Sequence, residues 1–274
     1  MLKLRVITAL LLAPSVVAAV LYLDTHMFAV LMGAVITLAA WEWANISRLS
    51  SALMKGVFAL VICLTMLGIY LAGNESVYMA VTFISVLFWL LAVMLVMAFQ
   101  KSIKGHFKLP VQPWYFGPFV LVPAWTSLVL LHRHEPDGAE FVLMLMVLVW
   151  IADIAAYFSG KKWGKTKLCD KVSPGKSREG VYGALIGVAI AAFTVALSKQ
   201  LGFLDVLVFV AICLFCIVAS IVGDLFESLV KRLGDVKDSG NILPGHGGIL
   251  DRIDSLTAAL PVFVTSLWLW EKAA

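Results

Sequence analysis

Apolar positions along this chain come in long unbroken runs, not in alternation. Alternation would suit the strands of an outer-membrane barrel, so the pattern argues for membrane-crossing helices. A spanning helix needs about 20 apolar residues. Nine stretches meet that standard: 5–23, 27–45, 54–72, 77–99, 115–131, 139–159, 180–198, 204–223 and 255–270. Several carry Pro or Gly, including Pro118 and Pro123 in the fifth, which neighbouring helices can accommodate. The first run is followed by no clear small-residue cleavage site and is read as a retained helix. The predicted fold class is therefore all-α: a polytopic integral membrane protein of about nine transmembrane helices.

Composition agrees. Of 274 residues, 62% are hydrophobic and 14% charged, far from the balance of a soluble domain. Cys213 and Cys216 form a C-x-x-C inside an apolar run and read as small helix residues, not as a redox pair. Charge adds orientation. With the N-terminus inside, the inner segments hold 18 of the 21 Lys and Arg, among them Lys3, Arg5, Arg48, Lys55, Lys101, Lys104 and Lys108. Seven more lie between 161 and 178, followed by Lys231, Arg232, Lys237 and Arg252. By the positive-inside rule this predicts a cytoplasmic N-terminus and an external C-terminus. Basic loops on that face would meet anionic headgroups or a polyphosphate.

Polar chemistry is concentrated in the second half. The chain divides softly into an N-terminal bundle, 1–100, with little chemistry, and a catalytic membrane region, 101–274. A transporter of inverted repeats would more often set polar groups in both halves at mid-membrane depth. In "GDLFESLVKR" (223–232), Asp224 shares a helix face with Glu227 and Ser228, and Glu227 with Lys231. A solvated helix end would explain these in a soluble protein. Directly after an apolar run, a carboxylate is costly and is a functional candidate. In "PGHGGILDRIDS" (244–255), Asp251 and Asp254 lie three apart at the start of a span. Helix capping explains one acid. Two, facing Asp224, suggest Mg2+, which takes hard oxygen ligands. Gly247 and Gly248 beside His246 make a turn whose N–H groups can approach phosphate.

A third element is 150–180. Asp153 and Tyr157 share one face of the sixth span, and "SPGKSREG" reads as a turn bringing Ser173, Lys176, Ser177 and Arg178 towards an anion. Acids for a metal facing bases for phosphates is the pairing a nucleoside triphosphate needs. No Walker loop, H-E-x-x-H, nucleophile elbow or Cys/His metal spacing is present.

"SLVKRLGDVKDSGNILPGHGGILDRID" (228–254) resembles the signature of the phosphatidate cytidylyltransferases, or CDP-diacylglycerol synthases. Its fixed positions are matched by Ser228, Lys231, Arg232, Lys237, Asp238, Pro244, His246, Gly247, Gly248, Asp251, Arg252 and Asp254. The upstream Asp153, Ala156, Tyr157 and Gly160 and the "SPGKSREG" stretch also look like the family, as do the length and the nine spans. Asp170 and Ser177 depart from it, standing where relatives often carry Pro and Thr.

The resemblance implies the reaction CTP plus phosphatidate to CDP-diacylglycerol plus diphosphate. It implies Mg2+ (or Mn2+) on Asp224, Asp251 and Asp254, with room for a second cation, divalent or monovalent. Lys231 and Arg232 join these as catalytic candidates. Lys237, Arg252, Ser173, Lys176, Ser177, Ser228, His246, Gly247, Gly248, Asp153 and Tyr157 are expected to bind substrate. CTP, phosphatidate and membrane lipids are the expected partners, with no nucleic acid, and a homodimer is implied by the family. The expected location is a bacterial inner membrane with a cytoplasmic site. The rival readings are a CTP-dependent lipid kinase, a CDP-alcohol phosphatidyltransferase, whose D-G-x-x-A-R arrangement is missing, and a non-enzymatic transporter.

Overall fold

The computed structural model describes residues 2–102, 107 and 109–273. Lys104 and Lys108, counted above with the basic loops, lie outside them, as do the side chains of Lys3 and Arg5. Among the described residues the chain forms α1 (Leu2–Tyr22), α2 (Thr25–Ile46), α3 (Ala52–Ala72), α4 (Glu75–Lys101), α5 (Gly117–Arg133, preceded by a 3-10 turn at Pro113–Phe116), α6 (Gly138–Trp163), α7 (Arg178–Ser198), α8 (Phe203–Leu233) and α9 (Leu250–Ala273). A hairpin of β1 (Lys167–Cys169) and β2 (Ser173–Ser177) joins α6 to α7. Among the described residues eight helices, α2 to α9, are long and apolar enough to cross a membrane, and the Ile7–Tyr22 part of α1 is apolar as well. The protein is an all-α polytopic membrane protein.

Local sequence sets the boundaries. Asp24 caps α2 by accepting from the N–H groups of His26 and Met27, Ser51 caps α3 and Asn74 caps α4. Large apolar side chains such as Leu10, Leu87, Leu90, Phe158 and Ile186 stay exposed, forming the surface that faces lipid. The fifth span is the most enclosed of the eight despite Pro118 and Pro123. Val120, Leu121, Trp125, Val129 and Leu131 are buried at the centre of the bundle.

Three boundaries differ from the sequence reading. α8 runs ten residues past 223, because Leu225, Phe226, Leu229 and Val230 keep a buried stripe beyond the apolar run. α9 begins at Leu250, not at 255, so Asp251 and Asp254 sit inside its first turns. The turn expected at Ser173–Ser177 is instead strand β2, antiparallel to β1 with Lys167 opposite Ser177 and Cys169 opposite Ser173. A two-stranded edge tolerates Pro174 and Gly175, and Lys167 Nζ donates to the Pro174 carbonyl at 2.8 Å.

Two close approaches position the polar end. α6 and α7 meet through Ala155, Ser159, Gly183 and Gly187, small residues that let backbones touch. α8 meets α9 at Gly223, where an added Cβ would lie 2.6 Å from the Asp254 carbonyl oxygen and 3.1 Å from the Ala258 Cβ. Gly223→Ala must therefore push α8 off α9. It is expected to cost about 1–3 kcal/mol, read as a lower melting temperature in detergent, with activity falling as Asp224 moves away from Asp254.

Candidate functional site

Contacts sort the helix ends into two groups. At one end Arg48 after α2 pairs with Asp235 after α8, and Gln100 of α4 binds Asp170 of the hairpin. At the other, His134 pairs with Glu271 at 2.8 Å and Lys199 with Glu140 at 2.7 Å. The first end holds the hairpin, the end of α8 and the start of α9, and so nearly every residue singled out from sequence.

A cavity of about 370 Å³ opens there between α6, the hairpin, α7 and α8. Asp153, Tyr157, Lys161, Lys176, Ser177 and Asp224 line it. Lys176 Nζ lies 2.6 Å from Asp224 Oδ2, and the Ser228 hydroxyl donates to Asp224 Oδ1 at 3.2 Å. Asp153 is within electrostatic reach of Lys176, Asp224 and Arg252. Ser177 both lines the cavity and caps α7, accepting from Gly180 N at 3.1 Å. Small residues on facing helices leave this space, and the hairpin delivers the lysine into it.

A second polar layer lies beside the cavity, between α8 and α9. The Glu227 side chain is buried, faces Asp254 and has Lys231 Nζ 3.3 Å from Oε1. The Lys231 ammonium is the cationic partner of this buried carboxylate, which also makes a side-chain contact with Asp254. Asp254 is in turn within electrostatic reach of Asp224. Lys231 Nζ lies 2.9 Å from Asp251 Oδ1. Asp251 also accepts from Ser239 N at 3.0 Å and Gly248 N at 2.8 Å, so its oxygens are occupied by protein donors.

The remaining predicted residues surround these layers. Arg232 Nε donates to the Val172 carbonyl at 3.1 Å and ties the hairpin to α8. Lys171 adds a second tie through the Ser102 carbonyl. The Gln100 amide holds the Asp170 carboxyl below the usual carboxylate range. Ser173 lies in β2 opposite Cys169, whose thiol is pushed up by burial; all four cysteines are free. Lys237 and Arg252 are exposed. His246 N donates to Leu243 O at 2.9 Å, closing a turn in which Gly247 takes φ of 84°, a conformation suited to glycine. Asp235, whose role the sequence left open, is an ion-pair partner of Arg48.

Sequence reasoning missed Glu42. It lies on α2, in the half read as carrying little chemistry, and is 2% exposed. Its Oε2 accepts from Leu250 N at 2.8 Å and from the Ser239 hydroxyl at 3.3 Å. The available signal was an acid among the apolar residues Trp41, Trp43 and Ala44.

These donors can be tested against a hard divalent cation. Among the described residues no group of three His, Cys, Asp or Glu side chains is gathered as a metal site. The donor chemistry nevertheless fits at Asp224 and Asp254. Asp224 already draws a positive group, the Lys176 ammonium, and Glu227 lies buried against Asp254, two acids that share the Lys231 side of the layer. Asp251, as arranged, organises the loop before α9 and holds Lys231.

Fold and site together define a polytopic helical membrane protein with an acid–base cavity at one end of its bundle. The model of the Cytidylyltransferase family matches residues 3–270, and the chain belongs to that family. It is 42% identical over 272 residues to the phosphatidate cytidylyltransferase of Pseudomonas aeruginosa, covering 98% of this chain and 97% of the relative. It is 39% identical over 286 residues to that of Haemophilus influenzae, covering 96% and 97%. To that of Bacillus subtilis it is 31% identical over 240 residues, covering 85% and 86%.

Proposed function

We propose that this chain transfers the cytidylyl group of CTP to phosphatidate, giving CDP-diacylglycerol and diphosphate. A phosphate oxygen of the lipid forms the new bond to the α-phosphorus, the bond from that phosphorus to the β-phosphate oxygen breaks, and diphosphate leaves. The observation that carries this reading is the Lys176–Asp224 pair at 2.6 Å inside the 370 Å³ cavity, in a chain of the cytidylyltransferase family.

The nucleophile is a phosphate monoester, whose second pKa is about 6, so it is anionic at neutral pH and needs no strong base. The task is to bring two anions together and to receive the charge of the leaving group. Lys176 and Ser177 on the hairpin supply donors to phosphate. Asp153 and Tyr157 form the membrane-side wall. Lys237 and Arg252, both exposed, are free to meet the triphosphate as it enters. Lys231 holds Asp251 and neutralises part of the buried acid layer.

Mg2+ or Mn2+ would be held by Asp224 and Asp254, with Asp251 as the third carboxylate once its present donors are released. When bound, the cation would neutralise triphosphate charge; five carboxylates against few buried cations support that charge balance, with room for a second cation. The site faces the cytoplasm of a bacterial inner membrane, the N-terminus lies inside and the C-terminus outside, and the protein is a homodimer. The 18-to-3 distribution of Lys and Arg supports the orientation.

Purified protein given phosphatidate and CTP labelled on the α-phosphate is expected to label the lipid, and γ-labelled CTP is not. Chelation with EDTA should stop the reaction and added Mg2+ restore it. Lipid labelled only from the γ-phosphate would replace this reading with a lipid kinase.

A further inference from the structure

Glu42 is a buried carboxylate that the proposed chemistry leaves unused. It is the one acid of α2 itself, and its partners are 197 and 208 residues away in sequence. Both belong to the segment leading into α9: Ser239 at its start and Leu250 at the first turn of the helix. The fit is close. An added Cβ at Gly240 would overlap Glu42 Oε1, and one at Gly248 would overlap Glu42 Oε2 and the Ser239 hydroxyl. The loop backbone is thus pressed onto the carboxylate from two sides.

The same loop groups then reach Asp251. Ser239 gives its hydroxyl to Glu42 and its N–H to Asp251. Gly248, packed on Glu42, gives its N–H to Asp251 at 2.8 Å. Asp251 holds Lys231 at 2.9 Å. One continuous polar chain therefore runs from α2 through the loop to the acid layer between α8 and α9. Trp43, the next residue, stacks on Phe226 of α8 at 6.3 Å between centroids and fixes the same helix against that layer.

We propose that Glu42 is a positioning residue for nucleotidyl transfer: it anchors the 239–250 loop and the start of α9, and so sets where Asp251, Lys231 and Asp254 stand. The inference rests on the cytidylyltransferase reading above. Partners one step removed from reacting groups typically change activity 10–100-fold when lost.

The test compares Glu42→Ala, Glu42→Gln and Ser239→Ala, each purified as the monodisperse full chain in detergent, in the α-labelled CTP assay. Glu42→Ala is expected to lower kcat about 100-fold per folded molecule, with KM for phosphatidate little changed. Glu42→Gln keeps an acceptor oxygen of the same reach and is expected to stay within about fivefold of wild type. Ser239→Ala is expected to lose about tenfold, and to add little on top of Glu42→Ala, because that bond is already gone. Trypsin should cut after Lys237 faster in Glu42→Ala than in wild type, with the rest of the chain still protected.

Glu42→Ala with kcat near wild type overturns the proposal, as does a Glu42→Ala and Ser239→Ala pair whose losses multiply. Should Glu42→Ala not fold, Ser239→Ala with unchanged kcat overturns it alone. A wild-type protein making no labelled lipid refutes the underlying function instead, and unchanged cleavage after Lys237 then separately refutes the anchoring.

Discussion

Asp224→Asn is expected to lower turnover about a thousandfold, equal to ~4 kcal/mol of transition-state stabilisation, while the protein remains folded and monodisperse in detergent. The reason lies in what the carboxylate faces. It is held by the Ser228 hydroxyl at 3.2 Å, draws Lys176 to 2.6 Å and lines the cavity where α6, the hairpin and α8 meet. Asparagine keeps the size and an acceptor oxygen but removes the charge. That weakens the grip on Lys176 and on any cation, and leaves the buried helix packing around Leu225 and Phe226 untouched. The measurement is kcat with CTP and phosphatidate beside a melting curve. A variant that keeps most of its turnover with Mg2+ present would exclude Asp224 as a metal ligand.

Lys176→Met is expected to cost about a hundredfold in kcat/KM, or ~2.7 kcal/mol. Methionine retains the length and apolar body of the stem but cannot neutralise phosphate. The loss should be shared between KM for CTP and kcat, because the ammonium meets charge that is present in the ground state and grows on the departing diphosphate. Lys176→Arg should recover part of the loss, since it preserves charge at a changed reach. Removing the lysine also leaves Asp224 without its present cationic partner, so the Asp224→Asn and Lys176→Met losses should not multiply in the double variant. Independent, multiplying losses would mean that the two side chains do not act as one unit.

Much of the fold was legible because its physics is local. Runs of about 20 apolar residues announce helices whatever the tertiary structure, and the structure has a helix at each of the nine runs. The ends were harder. α8 outlasts its apolar run through Leu225, Phe226, Leu229 and Val230, a one-sided stripe that polar neighbours obscure in a hydropathy reading. The hairpin was hidden because strands of three and five residues containing Pro174 and Gly175 resemble a turn.

Within the site, Asp153, Tyr157, Lys176, Ser177 and Asp224 were legible and are brought together around one cavity. Spacing alone could not divide the acids by their present partners. Asp251 faces backbone N–H groups and Lys231, whereas Asp224 faces the cavity, and that depends on loop geometry between 234 and 250. Glu42 was illegible for a stronger reason: its partners lie about 200 residues away, beyond any helical or turn periodicity.

Cytidylyl transfer at the Asp224 cavity is tested by following both products of one reaction. Purified wild-type protein and the Asp224→Asn variant are incubated with CTP and phosphatidate, and CDP-diacylglycerol and diphosphate are quantified together. The wild type is expected to release one diphosphate for each CDP-diacylglycerol formed, and the variant almost none of either. Formation of CDP and a lipid diphosphate, or equal product from both proteins, would contradict cytidylyl transfer at that cavity.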